Sequence, residues 1–136
     1  MFLYFILSCI LVLILIILYF CFKMEKLQVY QVLKCNEVLY KMFEQRNTFP
    51  ISVGLKLNRI YKQFNEVEEY VFSLMDKTFE NFEWMKMTDE QTIFYNGLLS
   101  EEIELDYEKI PSSCFENNDK LMLTMEDISN LEIILC

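Results

Sequence analysis

The sequence predicts a mainly α-helical protein: a single N-terminal transmembrane helix, an antiparallel helical hairpin, and a small α+β C-terminal part with a short two-stranded sheet. Three observations predict it. Met1 to Phe22 contains no charged side chain. Two later segments keep apolar residues at alternating spacings of four and three, the period of a helix with one buried stripe. Gly and Pro number only two each in 136 residues, which disfavours an all-β sandwich or a linker-rich chain and favours long helices. The expected units are residues 1–22 as anchor, 23–77 as hairpin, and 78–136 as an α+β tail packed on the hairpin.

The first segment is read as a permanent anchor. Twenty-two helical residues reach about 33 Å, enough for a hydrocarbon core of about 30 Å. A cleaved signal peptide needs a basic leading region, a shorter apolar core and a small-residue cleavage site. Here the apolar run starts at Phe2 with no basic side chain before it. Lys23, Lys26, Lys34 and Lys41 follow it, so the positive-inside rule puts the rest of the chain in the cytoplasm. The run lacks Gly and so offers no GxxxG dimer face. Met24-Glu25-Lys26 could instead begin a complete small protein, which would make the chain soluble and cytoplasmic.

The first hairpin helix is expected over residues 26–46. Val29, Leu33, Asn36, Tyr40 and Phe43 form its stripe, widened by Val32 and Leu39. Pro50 disfavours helix in the residue before it, so Asn47 to Pro50 forms the break. Residues 51–77 carry a stronger stripe of Val53, Leu57, Ile60, Phe64, Val67, Val71 and Leu74 over three heptads, a coiled-coil-like repeat. A short link between two such helices predicts an αα-hairpin. The stripes serve packing between the two helices or oligomerisation through the same seam. Asn36 is a lone polar residue in that seam and could fix its register, or face a turn or water.

Residues 78–87 are rich in aromatic and Met side chains and are expected to turn over the hairpin. Thr88-Asp89-Glu90-Gln91 matches a capping box and predicts a short helix to about Leu99. Glu102 to Glu108 alternates strictly between acidic and apolar residues, the pattern of a half-buried strand. Lys120 to Leu123 is a weaker strand and the expected antiparallel partner. Thr124-Met125-Glu126-Asp127 again marks a helix start. The apolar end, Leu131 to Cys136, is expected to dock on the hairpin.

Composition limits the chemistry. There is no His, so the commonest general base and metal ligand is missing. The five cysteines are odd in number, and no pair has CxxC spacing, which fits reduced thiols rather than a disulfide scaffold. No phosphate-binding Gly loop or Ser nucleophile elbow is present. The acidic row Glu102, Glu104, Asp106 and Glu108 could hold a divalent cation for a metal-dependent enzyme. Alternate strand residues sit about 7 Å apart, however, which suits a solvated face better than one coordination sphere. No enzymatic activity and no cofactor are therefore expected.

The net charge of −9 is segregated. Residues 23–62 hold eight Lys or Arg against three Glu, whereas residues 63–136 hold four Lys against eighteen acids. In a hairpin, Lys41 and Arg46 would lie close to Lys56, Arg59 and Lys62, making a basic tip for an acidic protein partner. Alternatively, the tip is a solvated surface or is neutralised by the acidic tail. The overall acidity argues against nucleic-acid binding.

The layout of residues 27–135 resembles a group of small uncharacterised phage and prophage proteins. The resemblance runs through the Phe49-Pro50-Ile51 turn and the helix opening Val53-Gly54-Leu55-Lys56-Leu57-Asn58-Arg59-Ile60. It continues in the Glu101-Glu102-Ile103-Glu104-Leu105 strand and the closing Leu123-Thr124-Met125-Glu126-Asp127-Ile128 segment. It implies a phage accessory or morphogenesis protein without catalytic residues. The anchor departs from that group. The leading expectation is a membrane-anchored, non-enzymatic interaction module; the alternatives are a soluble phage assembly factor starting at Met24 and a metal-dependent enzyme.

Overall fold

The structure, a computed structural model, describes residues 1–21, 25–45, 49–116 and 121–136. It is mainly helical. Helix α1 spans Phe2–Cys21 and is long and apolar enough to cross a membrane. Its window Phe2–Tyr19 has a mean hydropathy of 3.0, and none of that window is buried. A helix apolar on every side has no polar face to turn to water, so a non-aqueous surrounding suits it best.

The hairpin forms between α2, Val29–Glu44, and α3, Ile51–Thr78. The predicted first helix started at residue 26; the structure starts it at Val29. Residues Glu25–Gln28 form strand β1 instead. Strand β1 pairs antiparallel with β2, Glu102–Leu105, placing Leu27 opposite Ile103 and Lys26 opposite Glu104. The expected partner of β2, the segment beginning at Lys120, is not a strand at Leu121–Leu123, and Lys120 lies outside the described residues. A four-residue run is too short for periodicity to distinguish a strand from a helix start. Opposite charge across the pair, Lys26 with Glu104, favours the observed register. Among the described residues the pairing runs as far as Leu105, opposite Glu25. The alternation of exposed acids with half-buried Ile103, Leu105 and Tyr107 continues to Glu108, as the sequence pattern predicts.

The stripe of α3 holds with small changes. Val53, Leu57, Ile60, Phe64, Val71 and Met75 are buried, and Val67 and Leu74 are half-buried. The stripe of α2 is rotated from the expected one. Val32, Cys35, Leu39 and Met42 form its centre, whereas Tyr40 and Phe43 are exposed. Aromatic residues at the edge of a stripe keep helical spacing, so the sequence alone placed them one position too far inward. Asn36 is buried, and its side-chain amide donates to Glu68 Oε2 at 2.7 Å across the helix pair.

At 1.5 Å per residue α3 is about 42 Å long and α2 about 24 Å, so α3 overhangs its partner. The overhang is covered by helix α4, Asp89–Leu99, and by the aromatic turn before it. Val71, Met75 and Leu98 make this second, smaller core with Val29. The Thr88 cap forms as predicted: Gln91 N donates to Thr88 Oγ1 at 3.2 Å, and Thr88 N donates to Gln91 Oε1 at 2.9 Å. Phe82 and Trp84 meet edge to face, Phe79 lies tilted against Phe82, and Trp84 also packs against Phe72 and Tyr95.

The C-terminal part closes the other end. A single short turn of helix, α5, spans Ser113–Glu116. Helix α6, Met125–Leu131, starts at the predicted Thr124 cap and packs on α2. Leu131 and Ile134 are buried with Ile110, which bridges to Leu135. These residues join Val32, Cys35, Leu39, Leu57, Ile60 and Phe64 in the main core. The expected docking of the apolar end is thus seen directly.

Candidate functional site

The predicted basic tip is distributed rather than concentrated. Lys41 Nζ binds Asp127 Oδ2 at 2.6 Å, and Lys56 Nζ binds Glu108 Oε1 at 2.9 Å. The acidic C-terminal part thereby neutralises one lysine from each hairpin helix. Hydrogen bonding from Lys41, followed by the backbone at Thr124, holds the Asp127 carboxyl below the usual aspartate range. Arg59 and Lys62 are exposed and have no ion-pair partner among the described residues. Arg46 lies outside the described residues.

The acidic row does not converge. Glu104 faces Lys26 across the sheet, Glu108 holds Lys56, and all four carboxylates of the row are exposed. Among the described residues, no group of three or more potential ligands is arranged to hold a metal ion. Cys35 is sealed in the main core, where burial pushes its thiol up to about 12. It therefore carries no thiolate at neutral pH and serves as a small apolar residue.

A concave feature among the described residues brings together side chains that the sequence pattern does not single out. A groove of about 640 Å³ runs between α2 and α3 and reaches α4. Its volume lies within the range of small-ligand sites. Helix α2 contributes Tyr30, Glu37 and Tyr40; α3 contributes Tyr61, Glu68 and Glu69; α4 contributes Tyr95. Tyr61 is held edge-on by Phe43, with centroids 5.3 Å apart. Burial, and after it the charge of Glu68, raises the Tyr95 hydroxyl above the ordinary tyrosine range. Tyr40 is raised first by its hydrogen bond with Glu44. Tyr40 and Tyr95 therefore keep their phenol protons at physiological pH.

Asn36 also lines this groove. Its residue is 2% exposed, its Nδ2 is bound to Glu68, and its Oδ1 has no hydrogen-bond partner among the described residues. An unpaired buried carbonyl costs about 1–3 kcal/mol, so the position is strained unless something donates to it. The sequence did hold a signal for this groove. Tyr30, Glu37 and Tyr40 recur at helical spacing on α2, and Tyr61, Asn65, Glu68 and Phe72 do so on α3. Each row flanks a core stripe, and a flank of tyrosine and glutamate reads as an ordinary solvated border.

A second groove of about 540 Å³ lies against α3 and β2, floored by Val67, Val71 and Leu98 and rimmed by Glu66, Glu101 and Glu104. No buried unpaired polar atom lines it among the described residues. Comparison with protein-family models, with curated proteins and with solved structures gives no match for this chain.

Proposed function

We propose that this chain is a non-enzymatic binding module tethered to a membrane by α1, with its folded body in the cytoplasm. The observation that carries the reading is the bare helix: Phe2–Tyr19 is wholly unburied and has a mean hydropathy of 3.0. The cluster Lys23, Lys26, Lys34 and Lys41 beyond it supports the cytoplasmic orientation. The layout resemblance of residues 27–135 supports a viral accessory role. Contact with a partner protein is assigned to the groove between α2 and α3 rather than to the lysine tip, because Lys41 and Lys56 already hold carboxylates. Arg59 and Lys62 remain as a secondary contact for acidic groups.

Expression of a C-terminally tagged chain, membrane isolation and an alkaline carbonate wash test the tether. Retention in the washed membrane is expected, and recovery in the supernatant sinks the reading. The second reading, a soluble assembly factor beginning at Met24, is favoured by one feature: the folded body opens with β1 at Glu25. Mass spectrometry of the native N terminus separates the two.

A further inference from the structure

We propose that the groove between α2 and α3 takes a hydrogen-bonding cationic side chain, arginine or lysine, from an extended segment of a partner protein. This inference rests on reading the body as a binding module, but not on the tether. Three properties of the groove carry it.

The first is charge. Glu37, Glu68 and Glu69 line the groove against one cation, Lys34, which is already 3.8 Å from Glu37. The field inside therefore favours a positive group. The second is the wall. Four tyrosines and Phe72 line the groove. Aromatic faces attract ammonium and guanidinium groups, and they do so more strongly when the cation is partly desolvated. Tyr30 and Tyr40 are about half exposed, at 48% and 55%, so their rings are available at the surface.

The third property selects among cations. Asn36 Oδ1 is a buried acceptor without a donor among the described residues. Guanidinium and primary ammonium groups bring N–H donors, whereas a quaternary ammonium brings none. The groove is thus suited to arginine or lysine and not to a fully methylated amine. Guanidinium fits best, because its planar fork can donate to Asn36 and to Glu68 together while stacking on a tyrosine. Glu68 Oε2 already accepts from Asn36 Nδ2, so the carboxylate is held at the acceptor it would share.

The length points to a polypeptide. Tyr30 and Tyr40 are ten residues apart on α2, about 15 Å along its axis. An extended peptide rises about 3.3 Å per residue, so about four residues span that distance. The acidic and aromatic residues recur along the whole length, which gives room for more than one basic side chain.

Trp84 provides the readout. It is the only tryptophan, and its ring lies 4.9 Å from Phe72 and 5.2 Å from Tyr95, both of which line the groove. The full chain in phosphatidylcholine nanodiscs is titrated with a short amidated peptide carrying two arginines, following Trp84 emission and the anisotropy of a labelled peptide. Saturable binding with a shift in emission is expected. Replacing arginine by citrulline, neutral and nearly isosteric, should abolish it. Replacing arginine by trimethyllysine should weaken it about tenfold, the loss of a hydrogen bond to a charged group. Asn36→Leu should bring the arginine peptide down to the trimethyllysine level. Because that change lies in the core, Glu69→Gln and Tyr40→Ala at exposed positions provide a second set, each expected to weaken binding. Equal binding of the citrulline peptide, or affinity unmoved by all three variants, overturns the proposal. Saturation by spermidine with no binding of the peptide overturns the polypeptide source. Carbonate-resistant membrane retention with no peptide binding removes the groove and leaves the tethered reading; a soluble chain that binds the peptide does the reverse.

Discussion

Helices α1 and α3 are both long, at 20 and 28 residues, yet they solve opposite problems. Helix α1 is apolar around its whole circumference and touches none of the folded body closely enough to bury its membrane window. Helix α3 places its apolar residues in one stripe and gives the remaining surface to Lys62, Glu66, Glu69 and other polar groups. The comparison shows that apolar content alone does not make a core. Arrangement decides whether a helix buries itself against protein or asks for another solvent. If that is right, the two helices should fail independently.

The largest effect is expected in α1. Leu11→Arg with Ile14→Arg puts two charges near the middle of the apolar run. Each costs about 2.5–3.5 kcal/mol at the centre of a membrane helix, so the pair costs about 5–7 kcal/mol. Washed membranes should lose the chain, while thermal unfolding of the body followed through Trp84 fluorescence stays where it was. A parallel loss of the body's unfolding transition would show that α1 is part of the core and end the comparison.

Phe64→Ala is the converse experiment. Phe64 is fully buried in the main core, and its ring meets Tyr107 edge-on with centroids 5.4 Å apart. Removing a buried phenylalanine costs about 3–5 kcal/mol. For a body of this size that lowers Tm by about 10 °C or more. Membrane retention should not change. A variant that leaves Tm within a few degrees would mean that the α2–α3 seam is not where the stability lies.

How much of this was legible in the sequence follows the same division. The apolar helix α1 could be read because its signal is long and uniform. The stripe of α3 could be read because Val53, Leu57, Ile60, Phe64 and Val71 repeat over several turns. The Thr88 and Thr124 caps could be read because their chemistry is local. The pairing of β2 was misassigned because its true partner, Glu25–Gln28, lies more than seventy residues away and has only four residues. Nothing local in a four-residue strand names its partner. The groove was missed for a related reason. Tyr30, Tyr40, Tyr61 and Tyr95 come from three helices, and only the packing angle of those helices brings them together. Asn36 was singled out as a polar residue in the seam, and its bond to Glu68 supports a role in register. Its unpaired oxygen could be seen only in three dimensions.

Acid and alkali should separate the two regions again, with smaller effects, because α1 carries no charged side chain. Lys41 holds the folded Asp127 carboxyl below its ordinary value of 3.8. The stabilisation it gives is present above that value and is lost as pH falls through the lower folded value, because the unfolded chain takes up the proton first. At the other extreme, burial raises Cys35 from 9.0 to about 12. Between those values the unfolded chain loses the thiol proton while the folded chain keeps it, so stability falls as pH rises. Urea titrations across pH should show both limbs. Asp127→Asn should flatten the acid limb, and Cys35→Ala the alkaline one, with membrane retention constant throughout. Identical pH profiles for wild type and both variants would remove these two residues from the account. Thr124→Ala, which deletes the cap of α6 without touching Lys41, should cost about 1 kcal/mol near neutral pH.

The smallest effect tests the body where it is weakest. Helix α4 has only eleven residues and one buried side chain, Leu98. Gly97 sits beside it in the last turn, its φ is negative, and a Cβ built there meets nothing within 4 Å. A glycine in that setting contributes no contact and leaves the unfolded chain with more freedom to lose. Gly97→Ala should therefore stabilise the body by about 0.5–1 kcal/mol, read as a small rise in the urea midpoint with an unchanged slope. Helix propensity would then be a limiting term in α4, where packing is thin, and α3 gives the contrast. Gly54 also has open space around its Cβ position, but it lies in the first turn of a helix anchored by Val53, Leu57 and Ile60. Gly54→Ala should give the smaller gain of the two. The opposite order would place the marginal end of the hairpin at the start of α3 rather than at α4.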